Sequence, residues 1–187
     1  MGVRKDKVLS NSNLQGVADM KAAAKALFAA TAMVLGSAYG ASAALYLQAS
    51  STETQLANDT KGHPIAMNST DATLGISQKN GIVDIAASGN YFIMAAIQVG
   101  GNGQATGKVR LWLRVNGKDV DNSNCEQSVP TPGFTTVMVS QGVNALKKGD
   151  KVEAMYSASG PGLGIVYSKP DGEPAVPSII FSLFKLD

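Results

Sequence analysis

Reactive side chains are scarce in this 187-residue chain, which has one cysteine, Cys125, and one histidine, His63. A lone cysteine builds neither an intrachain disulfide nor a thiolate zinc cluster. Two roles remain for Cys125: a free, partly exposed thiol, or half of a bridge between subunits. His63 sits in Gly62-His63-Pro64 with no metal-ligating partner at a recognisable spacing, so it reads as a loop histidine. It is also the only imidazole base on offer, and no convergent set of acid, base and nucleophile can be assembled around it. Charged residues make up 16% of the chain and aromatics 6%. No basic stripe with interleaved aromatics occurs, which excludes the usual footprint of a nucleic-acid binder. The expectation is a protein that is not an enzyme, carries no cofactor and does not bind nucleic acid.

The small positive net charge, +2, is unevenly placed. Arg4, Lys5, Lys7, Lys21 and Lys25 outnumber Asp6 and Asp19 in residues 1–43, which leaves the remainder almost neutral. Lys21 and Lys25 precede an apolar stretch from Ala26 to Gly36, and Ala41-Ser42-Ala43 supplies small residues where a signal peptidase cuts. This is the pattern of a bacterial-style secretory signal with cleavage after Ala43. Two other readings stay open. No charge occurs between Lys25 and Glu53, so an uncleaved segment has the ~20 residues an anchor helix needs. An alanine-rich helix docked in a larger assembly such as a virion fits as well. The chain therefore divides into residues 1–43, a signal peptide or hydrophobic helix, and residues 44–187, the globular part. The expected location is secreted or cell-surface, with a virion as the alternative. Contact with a membrane is expected only through an uncleaved N-terminal segment.

Glycine is abundant, with 20 residues, and after Leu45 short alternating segments are separated by turn signals. Ile82–Ala86 reads as a strand, and Tyr91–Val99 as the next. In the latter Tyr91, Ile93, Ala95, Ile97 and Val99 alternate with Phe92, Met94, Ala96 and Gln98, so both faces are apolar and both call for burial. A second subunit is the expected cover for one of them. Val109, Leu111, Leu113 and Val115 form an inward face, and Asn116-Gly117 is a two-residue hairpin turn. Thr135–Gln141 reads as a strand with Val137 and Val139 inward. Lys151–Ser157 and Leu163–Tyr167 follow. Ser178–Leu186 closes the chain with Ile179, Phe181 and Leu183 on one face and Ile180, Phe184 and Leu186 on the other. Strands at this spacing indicate a sandwich, jelly roll or barrel.

Several pieces in order are similar to one family. They are Gly75-Ile76-Ser77, Ser88-Gly89-Asn90-Tyr91-Phe92-Ile93-Met94, Leu111-Trp112-Leu113-Arg114-Val115-Asn116-Gly117, Gln141-Gly142-Val143, Leu146 to Val152, and Pro177-Ser178-Ile179-Ile180-Phe181-Ser182-Leu183. Together they resemble the complement C1q-like globular domain of the tumour-necrosis-factor-like superfamily, in its bacterial or viral form, over residues 47–186. The resemblance implies an all-β, ten-stranded antiparallel jelly-roll sandwich that assembles as a homotrimer. It places Tyr91, Phe92, Met94, Phe181 and Phe184 at the subunit contact. No Gly-x-y repeat occurs, so this is a head without a collagen-like stalk. Some relatives bind calcium, which keeps a loop calcium site open. Asp119-x-Asp121-x-Ser123 starts like a calcium loop, yet Asn124 and Pro130 stand where glycine and glutamate are required.

Arg110, Trp112 and Arg114 share the other face of their strand. Tryptophan flanked by arginines is an interface composition. It suits either a binding surface for a glycan or surface protein, or a subunit contact, with the contact preferred. Gly101, Gly103 and Gly107 join two strands and do not open a helix, so they make no phosphate loop. Asn58-Asp59-Thr60 and Asn68-Ser69-Thr70 match glycosylation sequons, read as chance in a bacterial-type sequence.

Overall fold

The computed structural model describes residues 44–187; the signal-or-helix reading of 1–43 lies outside the described residues. Fourteen strands follow one another: β1 (Tyr46–Ser51), β2 (Gln55–Leu56), β3 (His63–Pro64), β4 (Ser69–Leu74), β5 (Ser77–Lys79), β6 (Ile82–Asp84) and β7 (Gly89–Gly101). The second half holds β8 (Gly107–Val115), β9 (Lys118–Asp119), β10 (Cys125–Val129), β11 (Thr136–Leu146), β12 (Lys151–Ala158), β13 (Leu163–Ile165) and β14 (Ile179–Lys185). They form two seven-stranded antiparallel sheets, and no helix occurs among the described residues. The expected jelly-roll sandwich is thus present. Its strand count exceeds ten because several pieces of two or three residues pair separately with parts of longer strands.

The first sheet runs β2-β13-β7-β14-β1-β4, with β11 on the opposite edge of β7. β7 organises it. β14 pairs with it over Tyr91–Ile97, β13 over Val99–Gly101, and β11 over Gly89–Val99. The second sheet runs β10-β8-β12-β6-β5, with β9 added to β8 and β3 to β12. Alternation then fixes the core, because successive side chains of a strand point to opposite faces. Tyr91, Ile93, Ala95, Ile97 and Val99 are fully or almost fully buried, as are Ile179, Phe181 and Leu183 of β14. Val109, Leu111, Leu113, Val152 and Ala154 meet them from the second sheet. Each such large side chain contributes roughly 1.5–3 kcal/mol over leaving it in water.

Strand β11 reverses the sequence expectation. Val137 and Val139 point outward, 60% and 41% exposed, while Met138 and Ser140 are buried. Register is the reason. Met138 lies opposite Ile97 and Ser140 opposite Ala95, both on the inward face of β7, so the even-numbered residues of β11 must also turn inward. A serine is tolerated there because its hydroxyl donates to the Ser123 carbonyl at 2.6 Å. The valines satisfy strand preference instead, since β-branched side chains suit a pleated surface.

Two of the motif pieces interlock. Asn116 and Gly117 have φ of 51° and 76°, the double left-handed geometry of a type I′ hairpin turn. The Asn116 side chain donates to Asp150 Oδ1 at 2.8 Å, and its oxygen accepts from the Lys151 amide at 2.9 Å. Asp150 Oδ2 in turn accepts from the Lys147 amide at 2.7 Å. The backbone N–H of Lys147 and then the Asn116 amide hold the Asp150 carboxyl below its usual pKa. The hairpin after β8 and the turn between β11 and β12 are thereby tied together.

Met138→Ala is expected to destabilise the protein by about 2–5 kcal/mol, while Val137→Ala changes stability by roughly 0.5 kcal/mol or less. Denaturant midpoints measure both; equal losses would contradict the inverted facing of β11.

Candidate functional site

The outer face of the first sheet collects the apolar side chains that the core leaves out. Pairing registers align Leu74, Tyr46, Phe184, Phe92 and Val143 in one row across β4, β1, β14, β7 and β11. Leu74, Phe184 and Val143 are 49%, 43% and 61% exposed, and Tyr46 and Phe92 are half-buried. A second row places Ile180, Ala96 and Val139 side by side. Between them runs a mixed row of Gln48, Ser182, Met94 and Gln141.

Of the residues expected at a subunit contact, Phe92, Met94 and Phe184 occupy this outer face. Tyr91 and Phe181 do not, which corrects that expectation: both are fully buried inside one chain. The alternation that sends Phe92 out sends Tyr91 in, and the Tyr91 hydroxyl donates to the Ala87 carbonyl at 2.7 Å. Burial raises its pKa, with the Ala87 bond opposing. Tyr46, Leu74 and Val143 complete the row, and the sequence expectation places none of them at a subunit contact. The alternation Val137, Val139, Gln141, Val143 carries the signal for Val143, once β11 is read with its valines outward.

The outer face of the second sheet has a different character. Arg110, Trp112 and Arg114 project from β8, each partly exposed. Trp112 Nε1 and Arg114 Nε both donate to Asp119 Oδ1 at 2.8 Å. The Arg114 bond, then the Trp112 bond, hold the Asp119 carboxyl below its usual pKa. Arg110 pairs with Glu126 at 2.7 Å, and Lys108 binds the other oxygen of that carboxylate. Trp112 lies opposite Met155 of β12, which is fully buried although it belongs to the outward set of its strand. Trp112 and the chain around Gly62 cover it. A Cβ on Gly62 would stand 2.8 Å from Trp112 Cζ2, so this close approach requires glycine. Arg110, Trp112, Asp119, Val120, Asn124 and Ser157 line an open recess of about 200 Å³. A larger open cleft of about 570 Å³ lies near Ile82, Asp84, Asn116 and Lys151.

His63 is not a plain loop histidine. It lies in β3 against β12, with Nε2 2.8 Å from Asp59 Oδ1 and its ring 5.6 Å from that of Tyr156. The partner is four residues upstream, on a loop whose return the sequence pattern did not reveal. Among the described residues no group of three metal-ligating side chains converges. Cys125 is a free, half-buried thiol in β10. Asn68 of the second sequon is tied to Thr52 through both atoms of its amide.

The Asp119 pair has a defined pH dependence. A carboxyl whose folded pKa is lowered adds stability that is complete above its ordinary value and is lost as pH falls through the folded one. Asp119→Asn is expected to cost roughly 1 kcal/mol or less at neutral pH, since the site is exposed. In strong acid the parent and variant melting temperatures should converge; an acid-independent gap would show that the charge is not what matters.

No protein-family model and no curated protein matches the chain. Solved structures do. Murine APRIL at pH 5.0 superposes with a TM-score of 0.52 at 16% identity, covering 76% of this chain and 99% of that one. Murine APRIL at pH 8.5 gives 0.51 at 16% identity with the same coverage. Residues 44–187 thus adopt the jelly-roll fold of the tumour-necrosis-factor-like and C1q-like proteins.

Proposed function

We propose that the chain is a non-enzymatic structural or recognition module that works as a homotrimer on a cell, spore or virion surface. The observation that carries this reading is the apolar row on the first sheet. Leu74, Tyr46, Phe184, Phe92 and Val143 form a contiguous stripe across five strands, and Ile180 and Val139 belong to a second apolar row parallel to it. Exposed apolar surface of that continuity marks a protein interface. A further copy of the same chain is the natural occupant, because Phe92, Met94 and Phe184 of this face are residues that the C1q-like resemblance puts at the subunit contact. The C1q-like resemblance supplies the number three. The signal-like pattern of residues 1–43 supports a destination outside the cytoplasm.

Apolar area removed from water contributes about 25 cal/mol per Å² before entropic losses, and a lasting interface buries about 1,000 Å² or more in total. Phe184 is central, since it sits between Tyr46 and Phe92 in the row. Its replacement by a charge places an unpaired carboxylate in that contact, while the inward face of β14 is untouched.

Phe184→Asp is expected to convert a particle of three chains into single folded chains, measured by light scattering with circular dichroism as the check on folding. A parent protein that runs as one chain, or a variant that keeps the trimer mass, would defeat the reading.

A further inference from the structure

The recess beside Trp112 lies within one chain, on the sheet opposite the apolar rows, so it stays open in the proposed trimer. Its geometry points to a ligand class. The indole is held in place before any ligand arrives: Nε1 is bonded to Asp119, the ring edge abuts Gly62, and Met155 closes the space below. Fixed aromatic surface of this kind binds with little loss of conformational freedom. Around it stand a carboxylate that only accepts, the Arg110 guanidinium that only donates, and the Asn124 amide and Ser157 hydroxyl that do both.

Charge narrows the choice. Arg110 already faces Glu126 at 2.7 Å, and Arg114 faces Asp119 at 2.8 Å. An anion entering the recess would meet cations that are already matched, with two carboxylates beside them. A neutral ligand rich in hydroxyl groups meets no such conflict, because each hydroxyl both donates and accepts. Size narrows it further. At about 200 Å³ the recess is smaller than the ~300–1,000 Å³ of drug-sized sites. It has room for one small ring lying on the indole. A pyranose combines all three properties: one ring, several hydroxyls, and an apolar C–H face that lies against an aromatic.

We infer that Trp112, Asp119, Arg110, Asn124 and Ser157 form a binding site for one neutral pyranose unit of a glycan. Trp112 supplies the platform, Asp119 accepts from sugar hydroxyls with its second oxygen, and Asn124 and Ser157 orient the ring. Single-site affinity is weak, because so small a contact leaves little surplus over the cost of association. If the chain trimerises as proposed above, three sites on one particle bind a dense glycan surface more tightly by effective concentration.

Trp112 is the only tryptophan, so its fluorescence reports on the site directly. Methyl glycosides of glucose, galactose, mannose and N-acetylglucosamine are titrated into the intact protein, with sulfate and glucuronate as anionic comparisons. At least one neutral glycoside is expected to shift the emission saturably, and Asn124→Ala, in an exposed loop, to weaken that binding about tenfold. Trp112→Phe, followed by calorimetry, should abolish it, while Ile82→Ala in the separate cleft leaves it unchanged. No response to any glycoside, binding only of the anions, or equal binding by parent and Asn124→Ala would each overturn the assignment. Light scattering on the same samples keeps the two readings apart: a trimer without sugar binding refutes only this site, and a sugar-binding single chain refutes only the trimer.

Discussion

Period-two alternation in β7 and β14 ties the two surfaces of the first sheet to each other. Once Tyr91, Ile93, Ala95, Ile97, Phe181 and Leu183 point into the core, Phe92, Met94, Ala96, Ile180 and Phe184 can only point out. A slip of one residue would exchange the two sets and place Ser182 and Gln98 against the core of the sandwich. The outward row is therefore held in register by the core behind it, with no separate device. The sheet's edge is handled differently. β4 is polar and largely exposed, and Asp71 accepts from Ser50 and Ser69 there. A charge near an unpaired edge discourages continuation of the sheet by a foreign strand, so the apolar face is the part of this sheet fitted for association.

The second sheet depends on turns more than on bulk. Its strands β5, β6 and β9 are two or three residues long, too short to hold themselves by pairing. Asn116 and Asp150 bind the β8–β9 hairpin to the turn preceding β12, and Gly149 donates to the Ile85 carbonyl at 2.7 Å. These contacts bring one end of the sheet together from segments 34 residues apart in sequence. They also set where β9 starts, and β9 carries Asp119. The position of the carboxylate that grips Trp112 is thus a product of the turn geometry at Asn116-Gly117.

Sequence pattern revealed what depends on neighbouring residues and missed what depends on partners. The faces of β7, β8 and β14 and the Asn116-Gly117 turn follow from local alternation and from the φ freedom of two residues. The facing of β11 does not. Val137 and Val139 look like core residues in isolation, and only the pairing of Met138 with Ile97 turns them outward. The same limit applies to function. Phe92, Met94 and Phe184 were legible as surplus apolar residues on two-faced strands. The resemblance groups Tyr91 and Phe181 with them, because adjacent residues on a strand share a motif but not a face. Tyr46, Leu74 and Val143 join the row only through strand order. Arg110, Trp112 and Arg114 were visible as a triplet, whereas Asp119, Asn124 and Ser157 reach Trp112 from three other places in the chain.

The mixed row of Gln48, Ser182, Met94 and Gln141 bears on how copies of this face meet. An entirely apolar face would stick to itself at many offsets, since oily contact has no preferred alignment. Placing amides and a hydroxyl between two apolar rows changes that. A shift by one row would set Gln48 and Gln141 against Phe92 and Phe184, burying amide groups without partners, at about 1–3 kcal/mol for each group left unsatisfied. Only alignments that match polar with polar avoid the loss. Such a face would be selective as well as adhesive, as the proposed assembly of fixed stoichiometry requires. Because the Trp112 recess lies across the core, on the far sheet of a sandwich whose layers are separated by about 10 Å, demands on the assembly face do not constrain it. The proposed contacts among copies and the proposed ligand site use different sheets, and a change to one leaves the chemistry of the other in place.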